Sequence, residues 1–338
     1  MDLNEFVFMT TDAWAQDAIY KADQHIRDHN KIACSISGGS DSDIMLDMLY
    51  KLDEEKKIVY IWFNTGLEYE ATKRHLRELE EKYNIEIIEL KAKKPIPLAV
   101  RENGLPFLSK QVSKWISRLQ RHNFQWEDGT LEELLQKYPK CKAALRWWCN
   151  DFERKEGKES KFNIAYNTYL KEFMMENPPD FPISNKCCYF AKKSVANDYI
   201  SNGDFDLSCT GVRKSEGGTR SSAYKNCFTP APDGEVAQYR PLFWFDKKSK
   251  ACYKECHNIR YSDCYEIWGL DRTGCSCCPF GQNFEFELEC VQKYEPKLYK
   301  AVLKIFGKSY EYTRKYREFQ KKMKQSADTK NNAVNESL

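Results

Sequence analysis

A serine- and glycine-rich segment near the amino terminus has the composition of a phosphate-binding loop. Glycine can adopt positive φ and lets a ligand approach the backbone, as Gly38 and Gly39 would here, and the neighbouring hydroxyls can donate to phosphate oxygens. Asp41 could orient the turn or hold Mg²⁺ against a phosphate. A plain turn that caps a helix is the alternative for this segment taken alone. The segment is Ser37-Gly38-Gly39-Ser40-Asp41-Ser42.

This loop lacks the spacing of the two commonest nucleotide-binding fingerprints. It contains neither Gly-x-x-x-x-Gly-Lys-Ser/Thr nor Gly-x-Gly-x-x-Gly. The sequence therefore disfavours both a P-loop NTPase and a dinucleotide-binding Rossmann domain.

Cysteine is the second unusual feature, with 14 cysteines among 338 residues. Cys187 and Cys188 are adjacent, and Cys275 and Cys278 form a Cys-x-x-Cys hook of the kind that binds Zn²⁺ or an iron-sulfur cluster. Adjacent cysteines point in different directions, so they reach two irons of a cuboidal cluster more easily than one zinc ion. A structural zinc site and simple buried thiols remain alternatives, and Cys277 could replace one of the four ligands.

The other cysteines have plainer interpretations. Cys34 and Cys209 lie in apolar runs that predict buried strands, where cysteine packs as a small apolar residue. A third group has a spacing that could bind metal, but we favour packing on a helix for it: Cys252, Cys256, His257 and Cys264.

The elements that must position these residues follow an α/β pattern. Continuous apolar runs at residues 31–36, 58–63 and 85–90 predict strands, and apolar residues at helical spacing separate them. Such alternation predicts right-handed βαβ units and a parallel sheet. The serine- and glycine-rich loop would then follow a strand at the carboxyl edge of the sheet, where a helix amino terminus attracts anions.

A basic helix is predicted from Ser109 to His122. Its cationic side chains share one face, which is either a solvated surface or a contact for a phosphate-bearing substrate. These residues are Lys110, Lys114, Arg118 and Arg121.

Composition limits the function classes and the location. Lys and Arg total 53 against 50 Asp and Glu, so the net charge of +3 does not by itself indicate a nucleic-acid or membrane-surface protein. Residues 1–5 are acidic, no apolar segment of signal-peptide length follows, and no apolar run reaches the roughly 18 residues of a membrane span. We therefore expect a cytoplasmic protein without a membrane partner.

We expect a nucleotide-binding α/β domain at 1–240, a cysteine-rich helical region at 241–325 and a disordered tail at 326–338.

Three ordered motifs resemble known families. The loop at 37–42 matches every fixed position of the Ser-Gly-Gly-x-Asp-Ser pyrophosphate loop of the N-type ATP pyrophosphatases. The segment at 63–72 resembles the Thr-Gly … Glu-Thr segment of the phosphoadenosine phosphosulfate (PAPS) reductase family, with Ala71 where Glu is expected. The segment at 210–220 resembles that family's Gly-x-Arg-x-x-Glu-Ser-x-x-Arg motif, with Gly217 where Ser is usual.

The resemblance implies an adenine nucleotide alpha hydrolase-like fold, a Rossmann-like parallel sheet with a C-terminal cysteine-rich, helical extension. It implies that Arg213 and Arg220 bind a phosphate or sulfate, as Arg does bidentately; a surface ion pair with Glu216 is the alternative for either. The nucleotide-binding residues it implies, beyond the loop at 37–42, are Asn64, Thr65, Gly66, Lys110, Gly211 and Arg213.

The cysteine pattern in turn resembles the Cys-Cys … Cys-x-x-Cys arrangement that holds a [4Fe-4S] cluster in adenylyl-sulfate reductases. The resemblance implies such a cluster at Cys187, Cys188, Cys275 and Cys278. The residues around Cys149 are faintly similar to an Arg-x-Cys-Thr segment of the family, which makes this thiol a candidate beside the substrate.

The resemblance implies an enzyme, with two branches of chemistry. Sulfonucleotide reductases use a cysteine on a C-terminal Glu-Cys-Gly-x-His segment, yet no cysteine follows Cys290. We therefore favour an enzyme that uses ATP and Mg²⁺, with Asp41, Arg213 and Arg220 as catalytic residues. It would cleave ATP to AMP and pyrophosphate, adenylate an acceptor and support sulfur transfer, with DNA or tRNA as possible substrates and a sulfur donor as partner. The alternatives are a divergent reductase of adenylyl sulfate or its 3′-phosphorylated form, using a thioredoxin-like reductant, and a non-enzymatic zinc-containing nucleotide- or nucleic-acid-binding module.

Overall fold

The computed structural model describes residues 2–153, 158–217, 223–232 and 235–335, with side chains to residue 327. The chain divides into two compact units. The first, here called the sheet unit, comprises Met1–Ile96 and Phe190–Ser276, and the second, the helical unit, comprises Pro97–Tyr189 and Cys277–Leu338. The chain thus enters each unit twice, and the boundary expected near residue 240 falls inside the sheet unit.

The sheet unit is built on one mostly parallel sheet, which confirms the predicted α/β fold. Its six described strands have the order β3-β2-β1-β4-β6-β5, and only β5 runs antiparallel to its neighbour β6. The strands are β1 (Ile32–Ile36), β2 (Ile58–Asn64), β3 (Ile87–Lys91), β4 (Leu207–Thr210), β5 (Phe228–Thr229) and β6 (Ala237–Tyr239).

The central strand β1 pairs with β2 on one side and with β4 on the other. Since β2 follows β1 in the chain and β4 comes much later, the strand order reverses direction at β1. Ligands of open α/β sheets bind at such a switch point, beyond the carboxyl ends of the strands. The loops after β1 and β4 are therefore the ones that can form a site.

Helices and apolar side chains cover this sheet. The buried core includes Ile32, Ile36 and Ile44, each at most 2% exposed. The α-helices in the described residues of the unit are α1 (Leu3–Phe8), α2 (Ala13–Asp28), α3 (Ser40–Leu52), α4 (Glu70–Tyr83), α11 (Ser194–Ser201), α12 (Lys247–Cys256) and α13 (Asp263–Glu266).

The helical unit has its own core, dominated by aromatic residues. Trp147, Trp148, Phe107 and Phe173 are at most 1% exposed and pack in one cluster. Its helices are α5 (Ile96–Asn103), α6 (Lys110–Gln120), α7 (Leu131–Lys137), α8 (Lys142–Trp148), α9 (Leu170–Glu176), α10 (Lys186–Cys188), α14 (Phe284–Tyr294) and α15 (Pro296–Asn335).

Two helices of this unit can be compared with their sequence patterns. Helix α6 is the expected amphipathic helix, capped by the Ser109 hydroxyl, which accepts from the Val112 amide at 3.1 Å. The apolar pattern after residue 284 forms two helices, because Pro296 begins a new one. The backbone of α15 is helical to Asn335, within the polar segment at 326–338.

None of the described helices is both long and apolar enough to cross a membrane.

Candidate functional site

The serine- and glycine-rich loop joins the end of β1 to the start of α3, as predicted. Gly38 has φ +62, and a Cβ there would lie 2.8 Å from Thr72 Cγ2. Gly39 is instead extended, with φ −98, and caps α3. A Cβ at Gly39 would lie 3.2 Å from both Ser37 Oγ and Thr273 Oγ1. Both the backbone conformation and the close approach of Thr72 thus favour glycine at 38, whereas a side chain at 39 would require these two hydroxyls to shift slightly.

The Ser42 hydroxyl holds this loop together. It accepts from the amides of Ser37 and Gly39 at 3.2 and 3.1 Å and donates to the Gly39 carbonyl at 2.8 Å. The side chain is buried. Ser42 therefore shapes the loop from within. Ser40 is also buried, and Ser37 is the exposed serine of the loop.

Asp41 lies between two cations. Its Oδ1 is 2.9 Å from Arg213 Nε and 2.8 Å from Lys250 Nζ. The three side chains are 21%, 13% and 19% exposed, so water screens them only in part. Lys250 also donates to Ser40 Oγ. One carboxylate against two cations leaves a net charge of +1 at the amino terminus of α3, where the helix dipole also favours an anion.

Arg213 is held from the loop that follows β4, as the sequence motif predicts. Its Nη1 donates to Ser215 Oγ at 2.9 Å, and Ser215 donates in turn to the Phe245 carbonyl at 2.7 Å. A Cβ on the nearby Gly211 would lie 3.4 Å from the Asp41 backbone. The loops after β1 and β4 thus touch at the switch point of the sheet. Arg220, the second predicted clamp, lies outside the described residues.

Lys250 was missed by the sequence analysis, because it lies on α12, 210 residues from its partner Ser40. Asp246 caps this helix by accepting from the Ser249 amide at 2.8 Å. A signal was present nonetheless, since three lysines at 247, 248 and 250 occupy the first turn. Cations there oppose the helix dipole, and such a placement indicates another use for at least one of them.

A buried acid and base lie beneath the loop. Asp43 Oδ2 is 2.8 Å from His75 Nε2, and both residues are at most 4% exposed. Burial raises the pKa of Asp43, and His75 opposes that change. Burial lowers the pKa of His75, but Asp43 and Glu78 outweigh it, so the pKa of His75 is raised. The pair therefore favours a protonated imidazole and ties α4 to the first turn of α3.

Asp47, one turn further along α3, fixes the helix that carries Lys250. It accepts from the hydroxyls of Tyr83 and Tyr253, each at 2.8 Å, and pairs with Lys51 at 2.8 Å. Because Tyr253 lies on α12, this network locks α12 against α3. The position of Lys250 beside the loop thus follows from buried hydrogen bonds.

The turn after β2 is held in place by hydrogen bonds of nearby polar side chains. Asn64 donates to Glu89 and accepts from the Gly66 amide, each at 2.8 Å. Thr65 is buried and donates to Glu68 at 2.6 Å. Gly66 has φ +77, and a Cβ there would lie 2.8 Å from Pro95 Cβ. These contacts account for the motif as a structural turn, and contact with an adenine or ribose stays a prediction.

The predicted basic face lies on α6 in the helical unit, and all four of its cations are exposed. Arg118 donates to the Lys140 carbonyl at 2.9 Å and Arg121 to the Ser117 carbonyl at 3.2 Å. Lys110 is the first residue of this helix. Its assignment to the nucleotide stays a prediction.

The four cysteines of the predicted cluster are divided between the units. Cys275 belongs to the sheet unit, and Cys187, Cys188 and Cys278 belong to the helical unit. Cys187 is buried and the other three are half-buried. Cys277, the alternative ligand, is buried with φ +49, and its carbonyl accepts from Tyr310 at 2.5 Å. Among the described residues, no three or more His, Cys, Asp or Glu side chains are grouped to hold a metal ion. The cluster at these four cysteines and the Mg²⁺ ion at Asp41 stay predictions.

The remaining cysteines can be placed individually. Cys34 and Cys209 are partners in the β1-β4 register and fully buried, as predicted, and burial raises the pKa of both thiols. Cys264 is also buried, whereas Cys252 and Cys256 are half-buried. Burial raises the pKa of Cys149, which makes this thiol a weak nucleophile.

Several solved structures are similar to this chain at low sequence identity. PAPS reductase from Candida auris, in a phosphate complex, is 13% identical, with 72% of this chain and 81% of that chain covered and a TM-score of 0.38. The U34-tRNA thiolase NcsA from Methanococcus maripaludis, with its [4Fe-4S] cluster, is 14% identical, with coverages of 90% and 80% and a TM-score of 0.37. The NH3-dependent NAD synthetase from Campylobacter jejuni is 10% identical, with coverages of 94% and 94% and a TM-score of 0.36.

No curated protein sequence matches this chain. A protein-family match does exist, and it covers the segment that contains β1, the serine- and glycine-rich loop, α3 and the turn after β2. Residues 31–108 match the phosphoadenosine phosphosulfate reductase domain.

Proposed function

We propose that this chain is an adenine-nucleotide enzyme that binds ATP at Ser37–Ser42 and cleaves it between the α- and β-phosphates. The observation that carries the proposal is the pairing of Asp41 with both Arg213 and Lys250 at the start of α3. Two partly buried cations that share one carboxylate can turn to an incoming phosphate. The family match over residues 31–108 supports an adenine nucleotide as the ligand.

In this proposal the loop holds the β- and γ-phosphates. Arg213 and Lys250 exchange the Asp41 carboxylate for phosphate oxygens, and Ser37 and Ser40 donate hydroxyl hydrogen bonds. An acceptor oxygen attacks the α-phosphorus, a new bond from that oxygen to phosphorus forms, and the bond to the bridging oxygen breaks. Pyrophosphate leaves with the electron pair, and the two cations stabilise its negative charge. Bound Mg²⁺ would supply further charge neutralisation, with Asp41 as the residue to hold it.

Adenylation prepares the acceptor for a second nucleophile, which displaces AMP. We propose that this nucleophile is sulfur and that the acceptor is a nucleic acid contacted by the exposed cations of α6. A [4Fe-4S] cluster at Cys187, Cys188, Cys275 and Cys278 rests on their spacing in the sequence alone.

The family match also supports a second candidate, a divergent reductase of adenylyl sulfate or its 3′-phosphorylated form. In that case the same cations would bind the nucleotide phosphate or the sulfate. A thiol would attack the sulfur of the sulfate, and the bond from sulfur to the nucleotide oxygen would break, with AMP or its 3′-phosphorylated form leaving. A thiol of the thioredoxin-like reductant would then attack the cysteine sulfur and displace sulfite, and the second thiol of the reductant would free the cysteine by forming a disulfide within the reductant. Cys149, Cys227 and Cys277 are the thiols to consider, although burial makes Cys149 a poor nucleophile.

One preparation distinguishes the two candidates. Protein purified without oxygen is assayed for pyrophosphate release from ATP, with and without DNA or tRNA, and for sulfite release from adenylyl sulfate with thioredoxin. We expect pyrophosphate release that falls strongly in Arg213→Met and not in the matched Arg260→Met, whose side chain is 64% exposed. Sulfite release without pyrophosphate release would establish the reductase instead. Iron analysis of the same protein tests the cluster, which requires about four Fe per chain.

A further inference from the structure

Two thiols that do not belong to the predicted cluster lie side by side on α12. Cys252 and Cys256 are four residues apart, so they occupy the same face of the helix. Their Sγ atoms are 3.8 Å apart. Both residues are half-buried, while Tyr253 and His257 on the next face are buried in the core. The pair therefore borders solvent and is not part of the interior packing.

The sulfur separation fits a metal ion between the two thiolates. Two sulfurs at about 2.3 Å from a tetrahedral ion are about 3.8 Å apart. A disulfide fits less well, because side chains at this spacing on a helix have Cβ atoms about 5–6 Å apart and a disulfide requires about 3.5–4.5 Å. Metal binding would leave α12 undistorted, whereas a disulfide would strain it.

We propose that Cys252 and Cys256 form a two-thiolate site for a soft, thiophilic metal ion such as Zn²⁺ or Cu⁺. Both thiols lose their protons on binding, so two protons go to the solvent for each ion bound. Thiolate sulfur selects this class of ion over Mg²⁺ or Ca²⁺. The site lies outside the nucleotide site proposed above and does not depend on it.

The rest of the coordination shell is supplied from outside the pair. Among the described residues no third His, Cys, Asp or Glu completes a metal-binding group. Thr11 Oγ1 lies 3.3 Å from Cys252 Sγ and can donate a hydrogen bond to the thiolate. Water or a small thiol would fill the open positions. Such an ion stays accessible and exchangeable, unlike the ion of a closed four-cysteine structural site.

Cadmium alone is a suitable probe, because its thiolate complexes absorb in the ultraviolet. Reduced, chelator-treated protein is equilibrated without oxygen at one free Cd²⁺ concentration, and bound cadmium is counted per chain. We expect the double variant Cys252→Ser/Cys256→Ser to bind one ion fewer than the wild type. Each single variant should show the same full deficit, since one thiolate cannot hold the ion at this concentration.

The wild type and the variants at 252 and 256 share the other cysteines, so these bind the same background amount of cadmium in each. A substitution at one of the shared cysteines is the control. Cys227 lies in the same unit and is also half-buried, so Cys227→Ser should bind as much cadmium as the wild type. Alanine at both positions should reproduce the deficit, and thermal unfolding without metal checks the fold. Equal cadmium binding by the wild type and the double variant would overturn the proposal. So would a deficit that doubles from single to double variant, or a Cys252-Cys256 disulfide found by peptide mapping in protein purified without reductant.

ATP-dependent pyrophosphate release separates this proposal from the previous one. In the absence of cadmium, the double variant and the wild type should release pyrophosphate at the same rate. If the double variant binds as much cadmium as the wild type, the dithiol proposal fails and the proposed nucleotide site is unaffected. If the wild type releases no pyrophosphate from ATP, the proposed function fails and the dithiol proposal is unaffected.

Discussion

Replacement of Lys250 by Met tests whether the cation missed by the sequence analysis binds the nucleotide. The substitution removes a charge-assisted hydrogen bond to phosphate, a class of interaction that contributes about 1.5–3 kcal/mol. The side chain is 19% exposed, so water screens part of this energy, and we expect the lower half of that range. About 1.5–2 kcal/mol corresponds to roughly 10- to 30-fold weaker binding of pyrophosphate.

The assay is calorimetric titration of the full chain with inorganic pyrophosphate, with and without Mg²⁺. Lys247→Met is the matched control, because Lys247 lies on the same helix but is exposed. We expect the control to bind within about twofold of the wild type and Lys250→Arg to recover part of the lost affinity. Thermal unfolding checks that Lys250→Met keeps its fold, since Asp41 retains Arg213 as a partner.

Asp41→Asn should change the affinity for pyrophosphate in the direction opposite to Lys250→Met. In the free protein this carboxylate competes with phosphate for Arg213 and Lys250. Its removal should therefore tighten pyrophosphate binding several-fold when Mg²⁺ is absent and reduce the gain that Mg²⁺ brings. The reasoning would be refuted if Lys250→Met and Lys247→Met bound pyrophosphate alike, or if Asp41→Asn bound it more weakly without Mg²⁺.

Two further predictions concern the support of the loop. Gly38→Ala places a Cβ 2.8 Å from Thr72 Cγ2 at φ +62, so it should lower the free energy of unfolding by about 2–3 kcal/mol, measured by urea titration. Gly274→Ala, where a Cβ meets open space, should change it by less than about 0.5 kcal/mol. The raised pKa of His75 means that its stabilisation is fully present below pH of about 6.5 and is lost as the pH rises through the folded-state pKa. Wild-type stability measured between pH 6 and 9 should show this loss and His75→Gln should not; equal slopes would contradict the Asp43-His75 pairing.

The strand-loop-helix at the site was predictable because its signals are local. A continuous apolar run, two glycines and a helical apolar period follow one another between residues 31 and 52, and the structure forms β1, the loop and α3 from them. Arg213 could be placed because it follows a strand within a recognisable motif. These inferences need only neighbouring residues in the chain.

The different roles of the three serines in the loop could not be predicted from local sequence signals. Ser37, Ser40 and Ser42 have the same side chain within six residues, and the sequence assigns all of them to phosphate. The turn of the helix points the Ser42 hydroxyl back at the Gly39 amide and carbonyl, where it is buried. Its role is therefore decided by the backbone path of the loop.

Lys250 shows why the electrostatics of the site could not be obtained from the loop sequence. An acidic residue in an anion-binding loop suggests either a turn former or a Mg²⁺ ligand when only its neighbours are known. In the structure Asp41 neutralises cations delivered by two distant segments, which avoids leaving them partly buried without a partner. A phosphate that displaces the carboxylate gives those cations a new partner at little desolvation cost. Asp41 thus stabilises the two cations, and the affinity of the loop for anions depends on how readily its carboxylate is displaced.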